Sequence, residues 1–259
     1  MLTKGFSTVN MKSRVRSQSS SSSSLFGTTR LFSRNSRHAA AAVSSSRRVR
    51  AVVLSKLGLL YSSSSGSTTA VAEFIKAEMG DLVTDPTDPE EVDDLKAFLA
   101  DCEGFIMGSP TWNTSALTGR SGLGMDQVCE QLRAGELSDV VGNKKAAVFG
   151  CGDGFLYGDN FSEMVDEVYH ALKGAGAEMV GHWEYTTDDS DDENPRYYDG
   201  FTESKAIVGS GGSSPDGQSQ GSAEEGSALY GLVCDQENHS EMSEQRVKVW
   251  CEQLKAEMA

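Results

Sequence analysis

The sequence predicts an α/β fold in which a parallel β-sheet is covered by helices on both faces. Short apolar runs alternate along the chain with segments whose apolar residues recur three and four positions apart, which is the spacing of a helix. The apolar runs are continuous rather than alternating with polar residues. This is typical of strands that are buried on both faces of a parallel sheet.

Four apolar runs predict the strands, and a fifth is expected to complete the sheet. In chain order the four are Leu57–Tyr61, Gly104–Gly108, Ala146–Phe149 and Glu178–Tyr185. The fifth run, Leu229–Val233, resumes the apolar pattern late in the chain. We expect it to complete an edge strand that the long segment from about Thr186 to Ala228 interrupts.

The predicted helices follow from apolar residues that share one face of a segment. Val71, Phe74 and Ile75 mark the first helix in this way. Ser243 is the expected N-cap of the last helix, because a hydroxyl oxygen accepts hydrogen bonds from the N–H groups of a first turn. The predicted helices span Thr68–Met79, Glu90–Ala100, Met125–Arg133, Phe161–Lys173 and a C-terminal segment after Ser243.

The first 50 residues differ in charge from the rest of the chain. They contain ten Lys and Arg, no Asp or Glu, and the serine run Ser19–Ser24. A basic, serine-rich leader without acidic residues is typical of an organelle transit peptide. We therefore expect residues 1–50 to be a disordered transit peptide and residues 51–259 to be one domain. A disordered basic tail that binds nucleic acid is the alternative.

The remainder of the chain is strongly acidic. The whole chain has a net charge of −15 and the leader contributes ten positive charges, so residues 51–259 carry −25. This charge argues against nucleic acid and anionic membranes as partners, and it favours docking to a basic patch on another protein.

The sequence contains no run of 18 apolar residues, so we expect no membrane insertion. The five cysteines are widely spaced, which predicts free thiols. Gly209–Ser227 contains six Gly and six Ser, and we expect a disordered insertion there.

The junction Leu57–Thr69, with the sequence LGLLYSSSSGSTT, predicts a phosphate site. An apolar run stops at a hydroxyl-rich loop with one glycine, and a helical pattern begins at about Thr68. Such a junction presents backbone N–H groups, serine hydroxyls and the positive end of a helix dipole to one point. The loop has no Lys, so it is not the P-loop of an ATPase. A cofactor with a single phosphate is the expected ligand.

Two further loops leave the carboxyl ends of predicted strands, and ligands of parallel sheets bind beyond those ends. The loop after Gly104–Gly108 contains Trp112, and the loop after Ala146–Phe149 contains Tyr157 and four glycines. Two aromatic side chains that face one cleft can hold a flat ring between them. Glycines allow the backbone to approach that ring closely.

Five motifs together resemble the long-chain flavodoxins. They are the hydroxyl-Gly-x-Thr loop at 63–68, GxPTWN at 108–113, FGxGDxxxYxDNF at 149–161, SKA at 204–206 and DQENHSEMSEQR at 235–246. The resemblance covers the chain from about Ser55 to the C-terminus, except Gly209–Ser227. It implies a flavodoxin-like, doubly wound sheet of five parallel strands in the order 2-1-3-4-5 that binds one FMN without a covalent bond.

The resemblance also implies which residues hold the FMN. Its phosphate would be held by Ser63, Ser64, Ser65, Gly66, Ser67 and Thr68. Trp112 and Tyr157 would flank the isoalloxazine ring, with Tyr157 as the outer stack. Asp153 would lie near the pyrimidine edge, with Asn160 in the same wall, and the backbone of Asn113–Thr114 would face N5. The expected site also includes Thr111, Cys151 and Gly152.

The sequence departs from the family pattern at three places. Ser63 and Ser65 stand where threonines are usual, and because a hydroxyl is kept we expect binding to survive. Arg120 and the run Gly119–Gly124 stand where an acidic residue and a second Trp are common. Cys151 replaces a commoner Thr or Leu.

The function that the resemblance implies is electron transfer rather than enzymatic catalysis. The expected protein is a monomeric, low-potential one-electron carrier that shuttles between the FMN semiquinone and hydroquinone. Together with the leader, this suggests the chloroplast stroma and the step between photosystem I and ferredoxin–NADP reductase. An FMN-dependent NAD(P)H quinone reductase is the alternative. A phospho-receiver signalling domain fits less well, because the first strand ends in Tyr61–Ser62 and not in acidic residues.

Overall fold

The computed structural model describes residues 56–112, 123–199, 204, 206–208 and 228–259. All of them belong to one structural unit, Ala51–Ala259. The predictions for residues 1–50, for Asn113–Thr114 and for Gly209–Ser227 lie outside the described residues. Among the helices that are described, none has the length and apolar character that crossing a membrane requires.

Strands and helices alternate along most of the described chain, which confirms the predicted α/β class. The strands are β1 (Leu57–Tyr61), β2 (Gly104–Pro110), β3 (Lys145–Cys151), β4 (Glu178–Met179), β5 (Trp183–Glu184), β6 (Ala228–Leu229) and β7 (Leu232–Cys234). The helices are α1 (Ser67–Met79), α2 (Leu95–Asp101), α3 (Gly124–Arg133), α4 (Ser138–Val141), α5 (Met164–Gly174) and α6 (Ser240–Glu257).

Strands β1, β2 and β3 form the centre of a parallel sheet. Met107 of β2 lies opposite Leu60 of β1 on one side and opposite Val148 of β3 on the other. Every residue of β2 is buried. This is the environment that the continuous apolar run of β2 predicts, because both faces of the strand are covered.

A short extended segment lies along the outer edge of β1 and occupies the place of the second strand in the implied order. Val83 and Thr87 make isolated parallel bridges to Leu57 and Leu60. Pro86 lies between them and has no N–H group to donate, so the pairing stays short. The sequence pattern did not reveal this strand, because it contains few apolar residues.

The last strand of the sheet is interrupted, as the sequence predicted. Both β4 and β7 pair in parallel with β3: β4 pairs at the Lys145 end of β3, and β7 pairs at the Cys151 end. The intervening chain leaves the sheet after β4. Part of it forms a separate two-stranded antiparallel sheet from β5 and β6.

The prediction of one continuous strand over Glu178–Tyr185 was wrong. The chain turns at Gly181, whose φ of +77° is a left-handed conformation that favours glycine. The Gly181 N–H donates to Oε2 of Glu257 over 2.6 Å, and its carbonyl accepts from Nε1 of Trp250 over 2.8 Å. These bonds to α6 replace the pairing that would have continued the strand.

The helix predicted over Glu90–Ala100 was wrong in its first turn. Pro89–Glu91 forms a short 3-10 helix, and α2 begins only at Leu95. Asp94 caps α2, because its Oδ1 accepts the N–H of Ala97 over 2.9 Å. An Asp before an apolar segment is a usual start signal for a helix.

Two other predicted helix starts were displaced, by three residues in α5 and by four residues in α6. Helix α5 begins at Met164 rather than at Phe161, because the Thr111 hydroxyl of another loop accepts the Met164 N–H over 3.1 Å. Helix α6 begins at Ser240, so Ser243 is buried inside its first turn instead of capping it. A turn held by Asp235 precedes α6 and ends early enough for the helix to start there.

The helices pack against the sheet in two pairs, α1 with α6 and α3 with α5. The core between them and the sheet contains Leu59, Ile106 and Val148, all fully buried. At the carboxyl edge of the sheet, the described parts of the loops after β1, β2 and β3 meet.

Candidate cofactor site

A cleft of about 490 Å³ lies at the carboxyl edge of the sheet, and its size is usual for a small-molecule site. The loop after β1 and the first residue of α1 contribute Ser65 and Ser67, and the end of β2 and its loop contribute Pro110, Thr111 and Trp112. The end of β3 and its loop contribute Cys151, Gly152, Asp153, Tyr157, Asn160, Phe161 and Ser162, and the segment after β7 contributes Gln236 and Glu237. The three loops that the sequence singled out therefore meet, and a fourth segment joins them.

The loop after β1 enters helix α1 through a glycine in the left-handed conformation, Gly66, with φ +97°. The N-cap residue Gly66 has no side chain to accept the first N–H groups of the helix, and the first internal bond is donated by Ala70 to the Gly66 carbonyl. The hydroxyls of Ser65 and Ser67 are 3.2 Å apart at the same place. Backbone N–H groups at a helix start, with hydroxyl donors beside them, suit an anion such as phosphate.

The other residues predicted for the phosphate loop do not line the cleft. The Ser63 hydroxyl accepts the Gly66 N–H over 3.2 Å and so holds the loop in shape. Ser64 is exposed, while Thr68 is fully buried inside α1. The neighbouring Ser62 is also buried, and its hydroxyl accepts the Met125 N–H over 2.9 Å, which caps α3.

Two aromatic side chains are exposed at the cleft. Trp112 is 47 % exposed and Tyr157 is 56 % exposed, and both line the cavity. Large aromatic side chains are usually buried, and exposed ones that border a cleft mark a binding surface. Both rings border the cleft, and their role in holding a flat ring between them stays a prediction.

The loop after β3 is built around Asp153. Its Oδ1 accepts the N–H groups of Phe155 and Leu156 over 3.1 and 2.9 Å, and its carbonyl accepts the N–H of Tyr157 over 3.0 Å. Such a turn fixes the backbone that presents Tyr157. Gly152 allows the loop to pack closely, because an added Cβ would lie 3.0 Å from the Phe161 side chain.

Asp235 ties this loop to the segment after β7. It is 3 % exposed, and its carboxylate accepts four hydrogen bonds. The donors are the backbone N–H of Gly154 (2.9 Å), of Glu237 (3.1 Å) and of Asn238 (2.9 Å), and Nδ2 of Asn238 (2.8 Å). Asp235 belongs to the DQENHSEMSEQR motif, but no role was predicted for it. Its position directly after the apolar residues Val233 and Cys234 was the one sign in the sequence that it could lie at a strand end.

Thr111, Asn160 and Ser162 line the cleft next to the start of α5. The Thr111 hydroxyl caps that helix, and Nδ2 of Asn160 donates to Oε1 of Glu163 over 3.0 Å. Ser162 is fully buried with a φ of +54°, and its hydroxyl has no hydrogen-bond partner among the described residues. Ser162 was not among the predicted site residues, because a left-handed serine leaves no mark in the residue pattern.

The Cys151 thiol lies at the base of the cleft. Burial raises its pKa well above that of an ordinary thiol, the in-register neighbour Cys234 adds to the rise, and the nearby Thr68 hydroxyl opposes it. Burial also raises the pKa of Cys234 to about 11. Both thiols are therefore neutral at pH 7 and place no negative charge beneath a ligand.

These features define a class: a protein that binds a flat, phosphorylated cofactor at the carboxyl edge of a doubly wound sheet. An anion-binding helix start and two exposed aromatic rings border one cleft. Potential metal ligands do not cluster in groups of three or more within the described part of the chain. The chain belongs to the flavodoxin family, whose model, described as "Flavodoxin", matches residues 59–250.

Relatives of known identity agree with this assignment. Over 205 residues the chain is 32 % identical to the flavodoxin of Synechocystis sp. and 33 % identical to a flavodoxin of Nostoc sp.. Each alignment covers 78 % of this chain and 97 % or 96 % of the relative. Proteins of this family transfer electrons and are not enzymes.

A solved structure shares the fold. The flavodoxin of Fusobacterium nucleatum bound to flavin mononucleotide superimposes with a TM-score of 0.55 and 16 % identity. The alignment covers 79 % of this chain and 99 % of that one. A likeness at this low identity supports the flavodoxin-like fold of the chain.

Proposed function

We propose that this chain binds FMN in the cleft and carries electrons one at a time at low potential. The observation that carries the proposal is the shared cleft itself. The start of α1, whose N-cap residue is a glycine, lies with Ser65 and Ser67 at the same cavity as the half-exposed rings of Trp112 and Tyr157. FMN has one phosphate and one flat ring, so its two chemical ends match these two groups of residues.

The residues of the cleft fit FMN by their chemistry. Ser65, Ser67 and the first N–H groups of α1 would hold the phosphate without a cation. Trp112 and Tyr157 would flank the ring, and the ring-side wall would be formed by the loop that contains Asp153. Bound FMN supplies the one-electron chemistry, and no side chain has to act as acid, base or nucleophile.

The charge of the chain would set the direction of the redox tuning. Residues 51–259 carry −25, and one of these negative charges, the Asp153 carboxylate, lies at the cleft itself. Negative charge added to the cofactor on reduction is disfavoured in this environment. Each destabilisation of about 1.4 kcal/mol lowers a one-electron potential by about 59 mV. The protein would therefore lower the potential of its cofactor.

A binding titration tests the proposal. FMN added to the cofactor-free protein should bind with one-to-one stoichiometry, and its fluorescence should be quenched by the adjacent aromatic rings. Reduction of the complex should then proceed in two resolved one-electron steps. An FMN-dependent quinone reductase, the alternative function, would instead oxidise NAD(P)H steadily in the presence of a quinone, without any other protein.

We further propose that the protein works in the chloroplast stroma as a monomer between photosystem I and ferredoxin–NADP reductase. The acid-free basic leader of residues 1–50 and the acidity of the remainder support this proposal. Isolated chloroplasts should import the full chain and shorten it near residue 50. Its reduction by photosystem I should slow as salt is added, because docking to a basic surface is screened. Rates independent of ionic strength would contradict electrostatic docking.

A further inference from the structure

The amide of Asn238 bridges two carboxylates at the ring side of the cleft. Its Nδ2 donates to Oδ1 of Asp153 over 2.9 Å and to Oδ2 of Asp235 over 2.8 Å. Asp153 lines the cleft, whereas Asp235 is buried behind it. Asn238 belongs to the DQENHSEMSEQR segment, for which the proposed function gives no task. A side chain that donates hydrogen bonds to two neighbouring carboxylates beside a cofactor weakens the negative potential that these carboxylates exert on the cofactor.

The Asp153 carboxylate is held in place with or without Asn238. Its Oδ1 also accepts the backbone N–H groups of Phe155 and Leu156, both within its own loop. Loss of the Asn238 amide would therefore leave Asp153 in the same turn, but with one donor fewer. A carboxylate with fewer hydrogen-bond donors carries more of its negative charge toward the cleft.

From this geometry we infer that Asn238 is a positioning residue that screens Asp153 and thereby raises the reduction potential of the bound cofactor. The inference rests on the proposed function, since it requires FMN in the cleft. Asn238 acts through Asp153 and need not touch the cofactor. The electrostatic effect concerns the reduced form of the cofactor, because reduction adds negative charge near Asp153.

A double-mutant cycle on the FMN-loaded full chain tests the inference. The variants are Asn238→Ala, Asp153→Asn and the double variant, and the readout is the potential of the second one-electron step. We expect Asn238→Ala to weaken binding of fully reduced FMN, relative to the one-electron-reduced form, by about threefold, which corresponds to roughly 30 mV more negative at 59 mV per tenfold. In the Asp153→Asn background the same change should have a much smaller effect, because the charge that lines the cleft is gone and only the buried Asp235 carboxylate still loses a donor.

Several outcomes would overturn the inference. They are an unchanged potential in Asn238→Ala, a shift to more positive values, or an equal shift in both backgrounds. Gln245→Ala, which removes an exposed amide of α6 outside the cleft, is the matched control and should leave the potential unchanged. If Asn238→Ala does not load FMN, Asn238→Ser takes its place in the same cycle. Failure of the unmutated chain to bind FMN would refute the proposed function itself, so the two failures are distinguishable.

Discussion

The Ser67 hydroxyl donates a hydrogen bond to Oε1 of Glu237 over 3.4 Å, although the two residues are 170 positions apart in the chain. A carboxylate therefore stands beside a hydroxyl that we propose for phosphate binding. Both side chains are accessible to solvent, so water and salt screen the repulsion between this carboxylate and a phosphate. The repulsion of two unit charges about 4 Å apart in water is about 1 kcal/mol.

Glu237→Gln should strengthen FMN binding about fivefold at low salt, because it removes this repulsion. Riboflavin, which lacks the phosphate, should bind equally well to both proteins. Fluorescence titrations with the two ligands measure the difference. Glu244→Gln, at an exposed position of α6, is the control. An equal gain for riboflavin would contradict a phosphate-side role of Glu237.

Tyr157→Ala should weaken FMN binding about tenfold, because stacking on an aromatic ring contributes on the order of 1–3 kcal/mol. Tyr157→Phe keeps the ring and should bind within about threefold of the unmutated protein. Phe155→Ala is a matched control, since Phe155 is 78 % exposed and does not line the cleft. Equal losses in Phe155→Ala and Tyr157→Ala would mean that Tyr157 does not contact the ring.

Asp235→Asn should destabilise the cofactor-free protein by about 3 kcal/mol. The buried carboxylate accepts four hydrogen bonds, and an amide offers one acceptor oxygen and turns an NH₂ group toward the remaining donors. Urea unfolding measures the change in the free energy of unfolding. Asp191→Asn, at an exposed position, should change it by less than about 0.5 kcal/mol. A loss for Asp235→Asn no larger than this control would show that the four bonds contribute little.

Acidification should destabilise the protein through His182. Burial lowers the pKa of His182 below its usual 6.5, the Glu257 carboxylate opposes the shift, and Lys173 adds to it. The unfolded chain therefore takes up the proton more readily than the folded chain. Stability is retained above about pH 6.5 and falls as the pH drops through the folded pKa.

The change His182→Gln removes this titration. Between about pH 7.5 and about pH 5.5, the variant should lose less stability to urea than the unmutated protein does. The hydrogen bond between Nε2 of His182 and the Tyr169 hydroxyl (3.3 Å) is also altered. The comparison is therefore the slope of stability with pH, and not its value at one pH. Identical slopes would exclude His182 as the source.

The cysteines should resist alkylation in the folded, cofactor-free protein. All five are buried and unpaired, and burial raises the pKa of Cys129 and of Cys251 to about 12. Alkylation requires the thiolate, so iodoacetamide at about pH 8 should modify the chain only after unfolding in guanidinium chloride. Mass spectrometry counts the modified thiols. Rapid modification of the folded protein at Cys151 would contradict the neutral, enclosed thiol seen at the cleft.

Much of the fold could be predicted from the sequence because burial dictates it. The apolar runs at Leu57–Tyr61 and Gly104–Gly108 have no other stable place than a covered sheet, and both became strands. The edges were harder to predict. Val83 and Thr87 pair without an apolar pattern, and the break at Gly181 depends on bonds to α6, more than 60 residues later in the chain.

The cleft could be predicted only in part for the same reason. Trp112 and Tyr157 stand out in their loops, and the rule that strand ends share one edge brings them together. Asp235 and Ser162 act through tertiary bonds and backbone conformation, which a residue pattern does not contain. The roles of Asn113 and Thr114 remain predictions from the family resemblance.

The measurement that tests the central claim most directly is an FMN titration of the purified cofactor-free protein. One equivalent of FMN should bind at micromolar concentration or below, lose its fluorescence and accept electrons in two separate steps. A protein that stays colourless and does not bind FMN at micromolar concentrations would contradict the assignment of this cleft.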